Sequence, residues 1–401
     1  MNGRRVDVVI VGGGLAGGLT ALALHRRRPD VTFALIEAGP ALGGNHRWSW
    51  FDSDLTAEGR ALIGSFAHTH WDGGHDVRFT GYDRTLGTGY NSLGSDDFHA
   101  ALMRQMPAGS VLTGTAADRI DASGVTLADG SRIDAGAVID CRSFAPSPHL
   151  SGGWQVFMGK HLRLDEPHGL TRPIIMDARV DQLAPRGNGG AYRFVYVLPI
   201  GPSDIFIEDT YYADEGQFDA AVLGSRIDAY AHRHGWRGTE IGSETGVLPV
   251  ITGGDFAAYR HAARIPGVAM AGARGGFTHP LTSYTVPIAV ENALAIAATP
   301  DLAGPTLARM LEHRATRHWR ATGFYRLLGR MLFQAAEPAR RVDIFERFYA
   351  LPEPLVQRFY AGRSTMADKV RILVGKPPVP IARAIGALSS GGRPLAQQEK
   401  A

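Results

Sequence analysis

Three glycines and one carboxylate near the start of the chain stand at spacings that suit a phosphate-containing ligand. Gly12 permits a tight turn, Gly14 lets the backbone approach a pyrophosphate, and Gly17 allows a helix to pack closely on a strand. Glu37 follows Gly17 by 20 residues and is placed to accept hydrogen bonds from ribose hydroxyls. These four residues, called the fingerprint below, predict a dinucleotide-binding site.

The segments around the fingerprint predict the strand, helix and second strand that must position it. An apolar run over residues 8–11 precedes the glycines, a helix-forming run over 19–24 follows them, and residues 32–36 form the second strand. Unpaired N–H groups and the positive dipole end at the helix N-terminus favour a bound anion. The predicted site therefore includes Leu15 and Ala16, which lie between Gly14 and Gly17.

Composition is that of a globular protein in a reducing compartment. The 401 residues suffice for two or three domains, and the single cysteine, Cys141, excludes an internal disulfide and a cysteine-based metal cage. No uninterrupted apolar run is long enough to span a bilayer. Charge is uneven, because residues 306–376 hold 14 Lys and Arg against 6 Asp and Glu, although the whole chain carries only +3.

Further along the chain, the pattern of apolar residues changes twice. Short alternating segments and a hairpin turn at residues 129–130 predict a small meander, after which 154–212 alternates with period two and predicts an antiparallel sheet. Residues 285–297 predict a helix behind a second glycine turn. We expect a discontinuous cofactor domain (1–145 and 240–300), a sheet domain (150–240), a helical region (301–385) and a disordered tail (386–401).

Several segments carry a resemblance to a known family. Gly43-Gly44 after Glu37 resembles FAD-binding proteins of the glutathione-reductase-like and hydroxylase-like group. A closer resemblance, to bacterial lycopene β-cyclases, runs from residue 6 to about residue 385. It is carried by residues 37–40, 44–50, 173–177, 192–199, 206–210, 246–250, 275–280, 359–363 and 375–380. The chain departs from that family at Arg47, Trp50, Ser283 and Lys160-His161.

The resemblance implies an α/β fold with a Rossmann-like FAD-binding domain, an antiparallel substrate sheet and a helical C-terminal region. It also implies the acid-catalysed, non-redox cyclisation of lycopene to γ-carotene and then β-carotene. FAD would be active in its reduced form, with NAD(P)H only reducing the flavin. Further cofactor contacts are then expected at Gly44, His46, Gly272, Gly275, Gly276 and His279.

The implied reaction needs an acid in a dry pocket, and Glu208 is the candidate, assisted by Asp209. Aromatic neighbours should raise the pKa of Glu208 by desolvation, and the charge of Asp209 should raise it further. Adjacent residues on a regular strand point to opposite faces, so the two share a site only at a strand end or bulge. Glu244 is a weaker candidate, for anchoring the sheet or a flavin ribose. Aromatic rings expected to stabilise a cation in the substrate are those of Tyr192, Phe194, Tyr196 and Tyr212.

A carotenoid substrate is stored in lipid, so the protein is expected in the cytoplasm, bound peripherally at the inner face of the cell membrane. Basic and apolar residues interleave over 324–333, which predicts a helix lying on anionic lipid, although a core-packed helix fits the pattern too. The same interleaving argues against nucleic acid as a partner. His68, His70 and His75 lack a fixed acid partner, so no metal is expected.

Two other functions fit the fingerprint. One is a flavin monooxygenase or reductase that acts on an isoprenoid. Such hydroxylases usually have Gly-Asp where this chain has Gly272-Ala273, which weighs against it. The other is a non-catalytic carrier of a prenyl lipid or carotenoid.

Overall fold

The structure, a computed structural model, describes residues 4–182, 192–374, 383, 386–387 and 391–396. The strands are β1 (Arg4–Val11), β2 (Phe33–Ile36), β3 (Arg47–Phe51), β4 (Thr69–Trp71), β5 (His75–Arg78), β6 (Asp83–Leu86), β7 (Tyr90–Gly94), β8 (Val111–Leu112), β9 (Ala117–Asp121), β10 (Gly124–Leu127), β11 (Arg132–Asp140), β12 (Ser147–Leu164), β13 (Ile174–Asp177), β14 (Tyr192–Pro199), β15 (Asp204–Ala213), β16 (Gly238–Gly254), β17 (Ala269–Met270) and β18 (Pro394–Leu395). The α-helices are α1 (Leu15–Arg27), α2 (Ala57–Ile63), α3 (Ser95–Gln105), α4 (Ala220–Arg233), α5 (Phe256–Ala263), α6 (Val286–Ala297), α7 (Gly304–Ala321), α8 (Gly323–Arg330), α9 (Arg341–Tyr349), α10 (Glu353–Tyr360) and α11 (Met366–Leu373).

The first sheet has the strand order β8-β2-β1-β11-β10-β9, with β17 also paired to β11. Strand β1 lies parallel to both β2 and β11, and α1 connects β1 to β2. Central strand β1 is buried on both faces, because Val8 and Ile10 pack into the core that contains α1 and α6, while Val9 and Val11 pack into the core that contains the meander. The predicted strand–helix–strand unit and the hairpin of β10 and β11 are confirmed.

The second, large sheet has the strand order β16-β12-β15-β14-β13-β5-β6. Its central strands β12, β15 and β14 are antiparallel, as their period-two pattern predicts. Two features differ from the predicted domain boundaries. Strands β5 and β6 come from the first 145 residues yet extend this sheet, and β16 is its edge strand although most of it lies in the 240–300 segment assigned to the cofactor domain.

Each face of the large sheet is covered by a different set of helices. Helix α4 covers one face, where Ile227 and Tyr230 pack with Val195 and Ile207. The C-terminal helices cover the other face. There Tyr192, Phe194 and Tyr212 share a core with Tyr325, Tyr349, Phe359 and Tyr360. The C-terminal region is thus an integral layer of the fold.

The prediction that residues 324–333 form a helix lying on lipid is therefore wrong, and the alternative of a core-packed helix is the one observed. Tyr325 and Leu332 are buried, and Phe324, Leu328 and Phe333 pack against the same core as the large sheet. Aromatic side chains on the sheet need an apolar cover, and these residues supply it. Among the described residues, none of the helices has the length and apolarity needed to cross a bilayer.

Part of the tail also differs from prediction. Disorder was expected over 386–401, but β18 pairs with β12 and Leu395 is fully buried. A buried leucine side chain stabilises its position by about 1.5 to 3 kcal/mol relative to an exposed one, which explains the order around residue 395.

Candidate active site

A cavity of about 950 Å³ is lined both by fingerprint residues and by residues of the large sheet. Ten of the predicted site residues line it: Gly12, Gly14, Leu15, Ala16, Glu37, Gly44, His46, Gly272, Tyr196 and Glu208. Its volume is at the upper end for small-molecule sites in proteins, which usually measure about 300 to 1,000 Å³.

The turn at Gly12 and the close packing at Gly17 agree with the sequence prediction, and Gly14 lies where a ligand could approach the backbone. Gly12 adopts a φ of 101°, which favours glycine, and Gly17 lies so close to the turn that an added Cβ would be 1.9 Å from the Gly12 carbonyl oxygen. An added Cβ at Gly14 would meet nothing within 4 Å, because this residue faces the open cavity. Gly14 is also the N-cap of α1 and offers no side chain to cap it. The exposed helix N-terminus therefore presents free N–H groups to an anion.

Glu37 is fixed beside this turn. Its Oε2 accepts a hydrogen bond of 2.7 Å from the Gly13 N–H, and its Oε1 accepts one of 2.7 Å from the Gly39 N–H. Each oxygen retains a further lone pair, and Glu37 lines the cavity. The carboxylate is thus held where it can accept hydrogen bonds from the hydroxyl groups of a sugar.

Only part of the second glycine turn reaches the cavity. Gly272 lines it with a φ of 57°, whereas Gly275, Gly276 and His279, which were predicted to contact a cofactor, lie behind the cavity wall. An added Cβ at Gly276 would meet the Phe256 ring at 2.6 Å. The His279 ring packs against Tyr325 and Phe359, and burial lowers its pKa to about 3. These residues fix the turn itself.

Four residues form one row across the large sheet. In the register of the strands, Tyr196 of β14 is opposite Glu208 of β15, Glu208 is opposite Gly159 of β12, and Gly159 is opposite Glu244 of β16. Residues directly opposite each other in an antiparallel sheet project from the same face. Both carboxylates and the Tyr196 ring therefore point into the cavity, which all three line.

The carboxyl group of Glu208 has the electrostatics of an acid. Burial in the apolar surroundings, followed by the negative charge of Glu244, raises its pKa to about 8, and the charge of Asp209 contributes to a lesser extent. A hydrogen bond of 2.6 Å from the Thr210 hydroxyl to Oε1, and the charge of Arg47, oppose the shift. At neutral pH the group is predominantly protonated and can donate its proton.

Asp209 is on the other face of the sheet, which corrects its predicted role beside Glu208. Strand β15 pairs with both neighbours without a bulge, so the alternation of side chains is preserved. The Asp209 carboxylate is fully buried and forms a bidentate ion pair with Arg193, whose Nε lies 3.0 Å from Oδ1 and 2.8 Å from Oδ2. Asp209 is a structural residue that reaches Glu208 only through its charge.

Of the four aromatic residues predicted to contact the substrate, only one lines the cavity. Tyr196 lines the cavity, whereas Tyr192, Phe194 and Tyr212 lie beneath the C-terminal helices and do not. The Tyr192 ring stacks on Phe345 with a centroid distance of 4.1 Å. Sequence alternation placed all four rings on one face, but it does not show how much of that face a helix covers.

Sequence reasoning missed two cavity residues that come from outside the large sheet. Arg47 of β3 lines the cavity with its guanidinium 5.3 Å from the centre of the Phe206 ring, and the Arg47 charge acts on both Glu208 and Glu244. The Tyr284 hydroxyl bridges those of Tyr196, at 3.1 Å, and Tyr90, at 3.2 Å. The departure from the family at Arg47, within segment 44–50, was the signal for this residue, while no local pattern marked Tyr284.

The described residues hold no group of three or more His, Cys, Asp or Glu arranged to bind a metal. The three histidines between residues 68 and 75 have separate partners. His68 contacts the Phe66 carbonyl, His70 pairs with Asp52, and His75 contacts the Thr88 carbonyl.

The fold is shared with proteins of known structure, among them a probable FAD-dependent monooxygenase. It is similar to a geranylgeranyl bacteriochlorophyll reductase-like protein from Thermoplasma acidophilum, with a TM-score of 0.61 at 12% identity, over 96% of this chain and 98% of that one. A probable FAD-dependent monooxygenase from Pseudomonas aeruginosa, pqsL, gives a TM-score of 0.53 at 16% identity, over 86% of this chain and 100% of that one. The protein therefore has the α/β fold of the FAD-dependent hydroxylase class, with a Rossmann-like domain and an antiparallel sheet.

Sequence comparison identifies the family within this class. The family model described as lycopene cyclase protein matches residues 7–385. A protein named lycopene beta-cyclase, from Pseudescherichia vulneris, is 43% identical over 379 residues, which cover 94% of this chain and 96% of the relative. The chain belongs to the lycopene cyclase family.

Proposed function

We propose that this protein is a lycopene β-cyclase that converts the linear ends of lycopene to β-ionone rings by acid catalysis. The observation that carries the proposal is the carboxyl group of Glu208, held predominantly protonated at neutral pH within an aromatic-walled cavity. Protonation of a carbon–carbon double bond needs such an acid, positioned away from bulk water. Relatives named lycopene beta-cyclase support the choice of substrate.

The cavity fits FAD. The N-terminus of α1 with Gly12 and Gly14 would hold the pyrophosphate, Glu37 the adenosine ribose, and the turn at Gly272 the second half of the cofactor. Both Gly14 and Gly272 leave space for a close backbone approach, since neither has a side chain. A bound reduced flavin would supply negative charge that stabilises a cationic transition state. NAD(P)H would serve only to reduce the flavin.

The protein's own residues account for protonation and for cation stabilisation. Glu208 donates a proton to C2 of the end group, which leaves a cation at C1 that the C5=C6 bond captures. The Tyr196 ring lies opposite Glu208 in the same cavity and stabilises positive charge through its π face, by about 1 to 2 kcal/mol when water is excluded. The hydroxyls of Tyr196, Tyr284 and Tyr90 bond one another, and their buried positions raise the pKa of each. These hydroxyls are weaker acids than Glu208 and do not compete with it as proton donors.

Anaerobic conversion of lycopene by the flavin-loaded protein tests the proposal. With chemically reduced FAD and no NAD(P)H, we expect β-ring products. In a second reaction, in air with NAD(P)H, product formation that consumes NAD(P)H stoichiometrically would indicate a monooxygenase or reductase instead. Lycopene recovered unchanged from both reactions would indicate a carrier.

Access to a lipid-stored substrate requires a membrane-facing surface, for which we propose α11. Its Met366, Val370 and Leu373, and the following Val374, are 72%, 55%, 44% and 58% exposed, and their spacing places them on one side of the helix. Arg371 is exposed on the same short helix, and the segment 306–376 carries a net charge of +8. An apolar face with basic neighbours suits the surface of an anionic bilayer.

Vesicle binding tests this surface. M366E combined with V370E should abolish co-sedimentation with vesicles that contain anionic phosphatidylglycerol. V222E provides the control, because Val222 is an exposed apolar residue, 37% accessible, on the distant helix α4. Equal binding by the double variant and the control would refute the assignment to α11.

A further inference from the structure

Glu244 shares the row of Glu208 and has no role in the mechanism so far. The two carboxyl groups project from the same face of the large sheet, separated only by Gly159 of the intervening strand. The Glu244 side chain is 6% exposed and lines the cavity. Two carboxyl groups on one wall of a cavity, in different surroundings, are the arrangement that can divide an acid role from a base role.

We propose that Glu244 is the base that removes the C6 proton, so that acid and base are different residues. This inference rests on the proposed cyclisation and specifies how that reaction ends. Glu208 loses its proton to C2, the C1–C6 bond forms, and the resulting C5 cation loses the C6 proton to the Glu244 carboxylate as the C5=C6 bond is restored. One proton enters and one leaves, and no electrons are exchanged.

The distance between Glu208 and Glu244 suits separate acid and base roles. Glu208 and Glu244 are two strands apart, which corresponds to roughly 10 Å between their backbones. C2 and C6 are both joined to C1 by single bonds of about 1.5 Å. An acid that contacts C2 and a base that contacts C6, each at about 3 Å and from opposite sides, are therefore about 8 to 9 Å apart. An end group lying between the two residues would therefore present C2 to one carboxyl and C6 to the other.

The floor between the two carboxyl groups is closed by Phe206 and Arg47. The Phe206 ring lies over Gly159, where an added Cβ would be 2.1 Å from the ring, so only glycine leaves room for it. The guanidinium of Arg47 lies over that ring at 5.3 Å and interacts with both carboxyl groups, more strongly with Glu244 than with Glu208. Because a cation already covers the Phe206 ring, the cation formed by ring closure would depend on the negative charge of Glu244.

His46 gives Glu244 a route for the proton it receives. The His46 Nδ1 lies 3.7 Å from Oε1 of Glu244, and the His46 side chain is 41% exposed. An imidazole at the rim of the cavity can pass a proton to solvent between turnovers. Glu208 is reprotonated from solvent before the next substrate binds.

The ring type of the product tests the role of Glu244 in the flavin-loaded protein. If Glu244 removes the C6 proton, E244Q should slow β-ring formation on the order of 10²-fold. The C5 cation should then lose a proton from C4 or from the C5 methyl group, so that ε or γ rings appear. E240Q, on the same strand but exposed and paired with Lys160, should behave as the parent protein does. Products are separated by chromatography and assigned by NMR.

Each outcome decides the proposal. Parent-like rate and only β rings from E244Q would overturn it. If E244Q converts nothing while flavin absorbance shows that it is folded, E244D becomes the deciding variant. Partial recovery of β rings by E244D supports a base at this position, whereas no recovery with flavin still bound overturns it. If the parent protein itself forms no rings, the proposed function fails and this inference fails with it.

Discussion

Replacing Glu208 by glutamine should reduce cyclisation by a factor on the order of 10² to 10⁴, the usual contribution of a positioned acid. The amide keeps the shape of the side chain and can still accept the Thr210 hydrogen bond, but it cannot donate a proton to carbon. We therefore expect E208Q to bind flavin as the parent does and to lose only ring formation.

The pH dependence of the parent protein makes the prediction quantitative. A glutamate with its ordinary pKa of 4.5 would be protonated in roughly 1 of 300 molecules at pH 7, whereas a pKa of about 8 leaves roughly nine in ten protonated. The environment of Glu208 thus increases the protonated fraction of this residue at pH 7 by a factor of roughly 300. Because the protonated form reacts, single-turnover rates should be constant below the pKa and fall as pH rises through about 8.

The assay is anaerobic conversion of lycopene in vesicles, with excess reduced flavin, from about pH 6 to pH 9. E240Q controls for loss of a glutamate elsewhere on the sheet, and flavin absorbance at each pH controls for unfolding. A rate that already falls about tenfold per pH unit from pH 6 upward, or E208Q with at least a tenth of the parent rate, would refute the assignment of Glu208 as the acid.

Three other substitutions probe the surroundings of the site. D209N should lower the free energy of unfolding by about 3 to 5 kcal/mol, measured by chemical denaturation, because it leaves Arg193 buried without its counter-charge; loss of ring formation by the folded variant would contradict the structural role. G17A should abolish flavin binding, measured by absorbance, since its Cβ would clash with the Gly12 carbonyl at 1.9 Å; normal flavin content would count against this packing. R47T should move the fall in rate to higher pH, because the Arg47 charge lowers the pKa of Glu208; an unchanged midpoint would show that this charge does not act on the acid.

The sequence alone determined those features that depend on neighbours along the chain. Gly12 and Gly17 form the predicted tight turn and close packing because a strand, a turn and a helix form within one continuous segment. Alternation along β15 placed Glu208 with the aromatic residues. The same alternation places Asp209 on the opposite face of the sheet unless the strand ends or bulges there. Because β15 contains no bulge, Asp209 lies on the opposite face.

Tertiary structure decided which distant segments complete the site. Glu244 lies 36 positions after Glu208 in the sequence and reaches the same row only because β12 pairs with both β15 and β16. Arg47 and Tyr284 come from still more distant segments. Whether an aromatic ring lines a cavity or packs beneath a helix depends on what covers it, which is why Tyr196 faces the cavity and Tyr192 does not. Side-chain alternation is a local property of a strand, whereas pairing and burial are set by the packing of the whole chain.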